Sequence, residues 1–465
     1  MCTNSRFTTQ EIMQYKNPSI SKGIDWLMVW LYALIVIFGI ICIYSVEYKS
    51  TDNFVQTLIG FKKNYSKQLF FFAASAVIAI FILLTDSKFF TATSNISYLV
   101  GIVLILATFI PGVGKEIKGS RSWIPLGFMN LQPVEMCKIF TALALSKYLS
   151  MPETDFNKSK SQMIAAAIAF APAVLSVLQN ETGLALVYFS FLIAMYREGL
   201  PPGYLIAGFS MAVLLVVSLL FSTKSLLIAF AVLAVVAFYF NRRQIRRNKR
   251  LLVIIIAAWG FSSLFVGLVI PFTFKHVFKP YQANRIFSMV GVDNPFADET
   301  TTADLPDAEE QKQKQQKSDQ QNYNVKQSKI AIGSGGFLGK GFLKGTQTRG
   351  DFVPEQHSDF IFTSVGENFG FLGSGLLMLV YLVFLLRMVI IAERQRSTFS
   401  RVYAYSVAGI MFFHVAVNIC VTIGLAPVIG ITLPLMSYGG SSLLTFTILI
   451  FILIKLDADR QMVLR

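Results

Sequence analysis

Two carboxylates four residues apart flank a histidine in the stretch Val353-Pro354-Glu355-Gln356-His357-Ser358-Asp359-Phe360-Ile361-Phe362. A carboxylate partly desolvated against those apolar residues gains basicity, and a general base needs such a tuned group within hydrogen-bond reach of the reacting hydroxyl. A neighbouring divalent cation acts in the opposite sense, and Asp359 and Glu355 are the candidate carboxylates for holding one. A competing reading keeps both acids as helix N-terminal charges facing the dipole.

Three other stretches carry polar chemistry inside apolar surroundings. Trp123 precedes Leu131-Gln132-Pro133-Val134-Glu135-Met136-Cys137-Lys138, which enters an apolar run. The i, i+3 spacing puts Glu135 and Lys138 on one helical face, where they can pair; ionisable groups at membrane depth usually line a cavity. Trp123 itself fits an anchor in the headgroup layer. The run Gln327 to Gly345 is rich in glycine and reads either as a backbone cradle for a lipid pyrophosphate or as a plain loop at the membrane surface. From Gly424 to Ser442, Pro427, Pro434, Gly439 and Gly440 break a helix, which a bilayer tolerates only where backbone lines a cavity or is buried by protein.

The elements that must position these residues are membrane helices. Of 465 residues, 54% are hydrophobic and 14% charged, with mean hydropathy +0.57, more apolar surface than a soluble domain of this length can hide. A span needs roughly 20 apolar residues, and runs near that length fall at 27–45, 68–84, 96–112, 135–149, 162–178, 183–196, 204–221, 224–240, 252–271, 368–391, 404–424 and 438–455. The expected fold is an all-α polytopic bundle of about 10 to 12 transmembrane helices. The pair 204–221 and 224–240 forms either a tight hairpin or one re-entrant element, and 135–149 and 183–196 are short enough to need tilt, thinning or burial among neighbours.

The net charge of +15 sits in short connectors, Arg242 to Arg250 and Arg387 to Arg401. Under the positive-inside rule these are cytoplasmic anchors, which excludes nucleic acid as the partner they serve. An even span count then puts both termini in the cytoplasm. The expected organisation is a tail at 1–26, helices over 27–271, a large extracytoplasmic segment at 272–366 with a solvated Gln/Lys-rich insertion at 299–321, helices over 367–455 and a tail at 456–465. Cys2, Cys42, Cys137 and Cys420 have neither zinc spacing nor a disulfide framework.

Taken together and in order, these segments resemble the SEDS family (shape, elongation, division and sporulation) of bacteria, its rod-shape branch (RodA) more than its division branch (FtsW). The family's Pro-Glu-x-His-Thr-Asp-Phe motif matches Pro354 to Phe360, with Ser358 for the usual Thr, and its Gln-Pro-Ser-Glu-x-x-Lys motif matches Gln132 to Lys138, with Val134 for Ser. Ser122 stands where the family has an arginine before the tryptophan, Gln179-Asn180-Glu181-Thr182-Gly183 replaces Gln-Pro-Asp-Leu-Gly, and Asn368 replaces the second acid after Gly366-Glu367.

The resemblance implies a peptidoglycan glycosyltransferase that polymerises lipid II at the outer face of the cytoplasmic (inner) membrane. Its implied partners are a class B penicillin-binding protein and other elongation-complex proteins, and its implied cofactor is a divalent cation, Mg or Mn, with no organic group. Asp359 is the implied catalytic base. The expected substrate-binding set is Lys138, Glu135, Arg285, Glu355, His357, Trp123, Ser437, Gly439 and Gly440, with Lys138 and Arg285 meeting the leaving pyrophosphate. The rival expectations are a lipid II flippase, a division-type polymerase and a scaffold for the transpeptidase; the span pattern contains no convincing inverted repeat to support a carrier.

Overall fold

The computed structural model of the protein describes residues 23–48, 57, 60–61, 63–117, 120–127, 129–274 and 323–460. The chain runs up and down through α1 (Trp26–Glu47), α2 (Asn64–Leu84), α3 (Ser87–Ala107), α4 (Pro133–Ser150) and α5 (Ser159–Leu178). It continues through a broken pair, α6 (Thr182–Val187) and α7 (Phe191–Arg197), then α8 (Pro202–Leu220), α9 (Thr223–Arg247) and α10 (Lys249–Leu264). After the residues outside the description come α11 over 323–335, the single turn α12 (Thr346–Arg349), and α13 (Ile361–Glu393), α14 (Thr398–Thr422) and α15 (Gly440–Ala458). Among the described residues, nine helical segments are each long and apolar enough to cross a membrane.

Helix starts follow local capping chemistry. Asp25 accepts from Met28 N–H at 3.1 Å, Asp86 from Lys88 N–H at 3.0 Å and Asn248 from Arg250 N–H at 3.1 Å, each satisfying a backbone donor that the first turn leaves free. The Asp86 cap explains why α3 starts at Ser87 and not near 96: Thr91 and Ser94 are polar but face inward, and Ser94 donates to the Phe90 carbonyl. The polar first two turns of α3 are thus helical, and the helix ends at Ala107.

The short helix α4 is buried on nearly every side between α3, α5, α14 and α15, which is how so short an element crosses the bundle. The segment 183–196 is interrupted by a 3₁₀ turn at Tyr188–Ser190 and packs on α14. Residues 204–240 form two separate helices, α8 and α9, and with α10 they make a peripheral group on a small cluster of Leu226, Val266, Ile270 and Phe274. The main core lies elsewhere, among α1, α4, α7, α13, α14 and α15.

The sequence reading missed strand structure. Around Trp123, read above only as an anchor in the headgroup layer, lies a three-stranded antiparallel sheet, β1 (Lys115–Ile117), β2 (Ser120–Pro125) and β3 (Asn130–Leu131), with Ile117 opposite Ser120 and Ile124 opposite Leu131. Alternation along β2 turns Ser120 and Ser122 inward and Arg121 outward.

The glycine-rich run is also corrected in part. Gly333 and Gly335 belong to the helix α11, so the run is not one continuous loop or cradle. Gly335 lies directly against the Gly366 carbonyl, where a Cβ would collide. The stretch 336–341 instead mends a break in α13 at Gly370, whose φ is 64°. Phe371 N–H donates to Gly336 O (2.9 Å) and Leu372 N–H to Phe337 O (3.0 Å). The carbonyls they forgo, on Glu367 and Asn368, accept from Lys340 N–H (3.0 Å) and Gly341 N–H (2.9 Å). The two N–H and two carbonyl groups parted at the break therefore all keep backbone partners.

Ion pairs gather at one end of the bundle. Arg387 and Arg394 reach Asp25 at 2.7 and 2.8 Å, Arg394 also binds Asp457, Arg401 reaches Glu198 at 2.7 Å and Arg197 reaches Glu393 at 2.9 Å. The basic connector 242–250 follows from chain direction to the same end. The starts of α2, α4, α13 and α15 lie at the other.

Candidate active site

At that other end the chain encloses an open cleft of ≈ 820 Å³. Its walls come from β2, the starts of α2, α4 and α15, the turn before α6, and the two irregular segments 354–360 and 425–439. Most of the residues singled out above meet there: Asp359, Glu355, His357, Trp123, Glu135, Gly439 and Gly440 all line it. Asp359, Glu355 and His357 are partly exposed to it.

Residues 354–360 form successive turns, and α13 starts only at Ile361, so Asp359 and Glu355 are not charges of a regular first turn. Glu355 has φ 57°, a left-handed conformation uncommon for a residue with a side chain. Its carbonyl accepts from Ser358 N–H (3.1 Å) and Phe360 N–H (3.2 Å), and its carboxylate accepts from Ser358 Oγ (3.0 Å). Serine at this position thus keeps the hydroxyl that threonine would supply.

Three consecutive carbonyls of this loop are gripped from outside it. His357 O accepts from Tyr438 N–H (2.8 Å), Ser358 O from Ser437 Oγ (2.6 Å) and Asp359 O from Asn418 Nδ2 (2.7 Å). Ser437 is therefore a buried strut under the cleft and not part of its wall. The segment 425–439 is held in turn by Gln68, which donates to Ser437 O and accepts from Gly439 N–H, both at 3.2 Å, and by Tyr381 Oη, which donates to Pro434 O at 2.6 Å. Burial, with Glu47 nearby, pushes the Tyr438 hydroxyl above its ordinary value, so it stays a neutral donor beside His357, 5.7 Å away ring to ring.

Glu135 and Lys138 do share a helical face and pair, at 3.8 Å, but only Glu135 reaches the cleft. Lys138 is fully buried behind it, with Nζ 2.9 Å from His414 Nε2. Arg285 lies outside the described residues, as does the insertion 299–321.

Two departures from the family motifs touch each other. Ser122 Oγ donates to Glu181 Oε1 at 2.8 Å, so a short hydroxyl in place of arginine meets a longer acid in place of aspartate. The third, Asn368, is buried and donates to Ser364 Oγ (3.1 Å) and Ser45 Oγ (3.3 Å), contacts a carboxylate could not donate.

Sequence reasoning missed Lys67, which lines the cleft from the first turn of α2, and the buried positioning groups Gln68, His414 and Asn418. The signal for His414 and Asn418 was there: a polar pair at i, i+4 within an otherwise apolar span. Among the described residues no group of three or more His, Cys, Asp or Glu side chains is disposed to hold a metal ion. A magnesium-type ion held by one or two carboxylates plus substrate phosphates needs no such cage, and Asp359 and Glu355 on one cleft wall fit that mode.

A family model described as cell cycle protein, for FtsW, RodA and SpoVE, matches residues 25–243 and 225–462. The chain is 27% identical over 463 residues to the peptidoglycan glycosyltransferase RodA of Treponema pallidum (strain Nichols), covering 93% of this chain and 97% of the relative. It is 28% identical over 366 residues to the peptidoglycan glycosyltransferase MrdB of Escherichia coli (strain K12), 78% of each chain. The stage V sporulation protein E of Bacillus subtilis (strain 168) is 27% identical over 439 residues, 93% of this chain and 96% of the relative. Two solved structures share the fold. One, from a study of how a peptidoglycan synthase complex coordinates polymerization and crosslinking, has a TM-score of 0.63 at 22% identity, covering 94% of this chain and 98% of that one. The other, the rod shape determining protein RodA of Thermus thermophilus, has a TM-score of 0.56 at 20% identity, with the same coverage.

Proposed function

Because the chain belongs to the SEDS family of FtsW, RodA and SpoVE cell cycle proteins, we propose that it is a peptidoglycan glycosyltransferase that polymerises lipid II for cell elongation at the outer face of the cytoplasmic membrane. The observation that carries this reading is the position of Asp359 on the wall of a cleft at the end of the bundle opposite the basic connectors. Those connectors belong on the cytoplasmic side, which turns the cleft outward and puts both termini inside.

In this reaction Asp359 accepts the proton of the acceptor sugar's 4-hydroxyl as that oxygen bonds to the anomeric carbon of the lipid-linked chain. The bond from that carbon to the pyrophosphate oxygen breaks with inversion, and the undecaprenyl pyrophosphate departs with the electron pair. The grip on three successive carbonyls holds Asp359 in place through this exchange, and effective positioning of a base relative to its acceptor is a large part of such catalysis. Asp359 and Glu355 would hold a divalent cation, Mg or Mn, which when bound would supply charge neutralisation for the pyrophosphate. Lys67 on the wall adds a fixed positive charge. Lys138 acts from behind Glu135. The transpeptidase that crosslinks the strands is a class B penicillin-binding protein, with which other elongation proteins assemble.

The test is polymerisation of purified lipid II in detergent micelles, with and without chelator. Asp359→Asn folds and makes no glycan; a variant that still polymerises excludes Asp359 as the base. A lipid flippase makes no product in micelles, so the same assay separates the two activities.

A further inference from the structure

Lys138 carries its charge inside the bundle with its side chain 0% exposed, hydrogen-bonded to His414 and paired with Glu135. Its Nζ lies 2.9 Å from His414 Nε2, 3.8 Å from Glu135 Oε1 and 5.1 Å from the centre of the Phe446 ring. His414, fully buried on α14, stands edge-on to the same Phe446 ring at 4.9 Å. Its other nitrogen, Nδ1, is 3.2 Å from the Thr432 carbonyl.

These partners settle the tautomer. A carbonyl only accepts and an ammonium only donates, so Nδ1–H donates to Thr432 and the Nε2 lone pair receives Lys138. Thr432 belongs to the irregular segment 425–439 and lines the cleft; its hydroxyl lies 3.0 Å from that of Ser442, which lines it too. One ring therefore links the cleft-lining segment to the ion pair on α4, whose outer member, Glu135, is itself on the cleft wall.

We propose that His414 is a positioning residue for glycosyl transfer, holding the Lys138 ammonium behind Glu135 so that the Glu135 carboxylate stays presented to the lipid-linked substrate. This role rests on the polymerase reading above. A buried ammonium must have partners. With the imidazole acceptor gone, Glu135 is the remaining group that can meet Lys138, and closing their 3.8 Å gap draws the carboxylate inward, away from the cleft. The double change His414→Leu/Lys138→Met removes the ammonium together with its acceptor and so costs less stability than His414→Leu alone, which strands the charge.

The experiment uses the full-length chain in detergent with lipid II as substrate, and compares His414→Leu, His414→Gln, Lys138→Met and the double variant His414→Leu/Lys138→Met, each checked for its melting temperature. Glutamine can accept from Lys138 through Oε1 and donate to Thr432 through Nε2. His414→Leu lowers kcat about 10- to 100-fold, with KM changing far less, and His414→Gln restores most of that loss. The double variant is no slower than Lys138→Met alone, because the histidine acts through the lysine. Wild-type turnover in His414→Leu, a glutamine variant as slow as leucine, or losses that multiply in the double variant each overturn the proposal. If leucine prevents folding, His414→Asn replaces it: the shorter amide cannot span both partners, so asparagine must be slow where glutamine is fast. A folded wild type that makes no glycan defeats the polymerase reading and this proposal together. With an active wild type and an inactive Asp359→Asn, that reading stands and the His414 variants alone decide.

Discussion

Asn418 donates one amide group to two carbonyls at once, Asp359 O and Ile431 O, each at 2.7 Å. It thereby joins the loop that carries Asp359 to the neighbouring segment 425–439, which also lines the cleft. Asn418→Leu leaves both carbonyls without that donor, at a cost of roughly 1–3 kcal/mol for a buried group. It also frees Asp359 to shift, which lowers turnover about 100-fold. Steady-state glycan synthesis and thermal unfolding measure the two effects, and an unchanged rate at lowered stability excludes the positioning role.

The contact between Ser122 and Glu181 makes a prediction about pairs. Ser122→Arg places a cation beside a glutamate too long for it, and Glu181→Asp leaves a serine too distant. The double variant Ser122→Arg/Glu181→Asp restores the family's own combination and is more stable than the sum of its single changes by about 1 kcal/mol. Melting temperatures of the four proteins give the coupling; simple additivity means that the two positions do not compensate for each other.

Glu367 is 0% exposed at the side chain, and its carboxylate accepts from six groups: Lys340 Nζ, the N–H of Thr346, Gln347 and Thr348, and the hydroxyls of Thr346 and Thr348. Glu367→Gln turns half of that double acceptor into a donor facing donors and removes the partner of Lys340. The expected loss is about 3–5 kcal/mol, as for breaking a buried ion pair. Amide exchange should rise first over 340–349, and protection as slow as in the wild type would speak against a stapling role.

Acid should loosen the opposite end of the bundle. Burial alone raises the Asp25 carboxyl, but hydrogen bonds from Arg387, the Met28 N–H and Arg394, with the charge of Arg387, outweigh it and hold the group below its ordinary value. A carboxylate depressed by folding contributes stability that is fully present above its unfolded pKa of about 4 and is lost as pH falls through the lower folded value. The melting temperature of the wild type therefore drops more steeply below about pH 4 than that of Asp25→Asn. Parallel curves for the two proteins would show that Asp25 is not the group responsible.

Most of the bundle was legible because lipid-facing helices announce themselves by length and hydropathy, and the Asp359 loop because a histidine between two acids is rare beside an apolar run. The sheet at 115–131 was not, because its strands are two to six residues long and their alternation is too brief to register against a membrane-surface pattern. The polar start of α3 hid a helix behind residues that face the core. Lys138 and Ser437 were expected to bind substrate, and spacing alone could not say that one stands behind the cleft wall and the other beneath it. His414 and Asn418 stand out in the sequence as a polar i, i+4 pair, but each acts through a partner more than a dozen residues away, a contact that no periodicity encodes.

The four main-chain bonds that bridge Gly370 involve no side chain, but Gly339, with φ 81° and a Cβ position that would collide with the Asn368 carbonyl, has to be glycine. The seam between the two halves of α13 therefore fixes the number of residues after Gly336 and, at Gly339, identity as well. Adding or deleting a single residue between 336 and 341 puts donor opposite donor and leaves backbone groups at the break without partners. That short stretch is thus a spacer fixed in length throughout and fixed in composition where it crosses closest to α13.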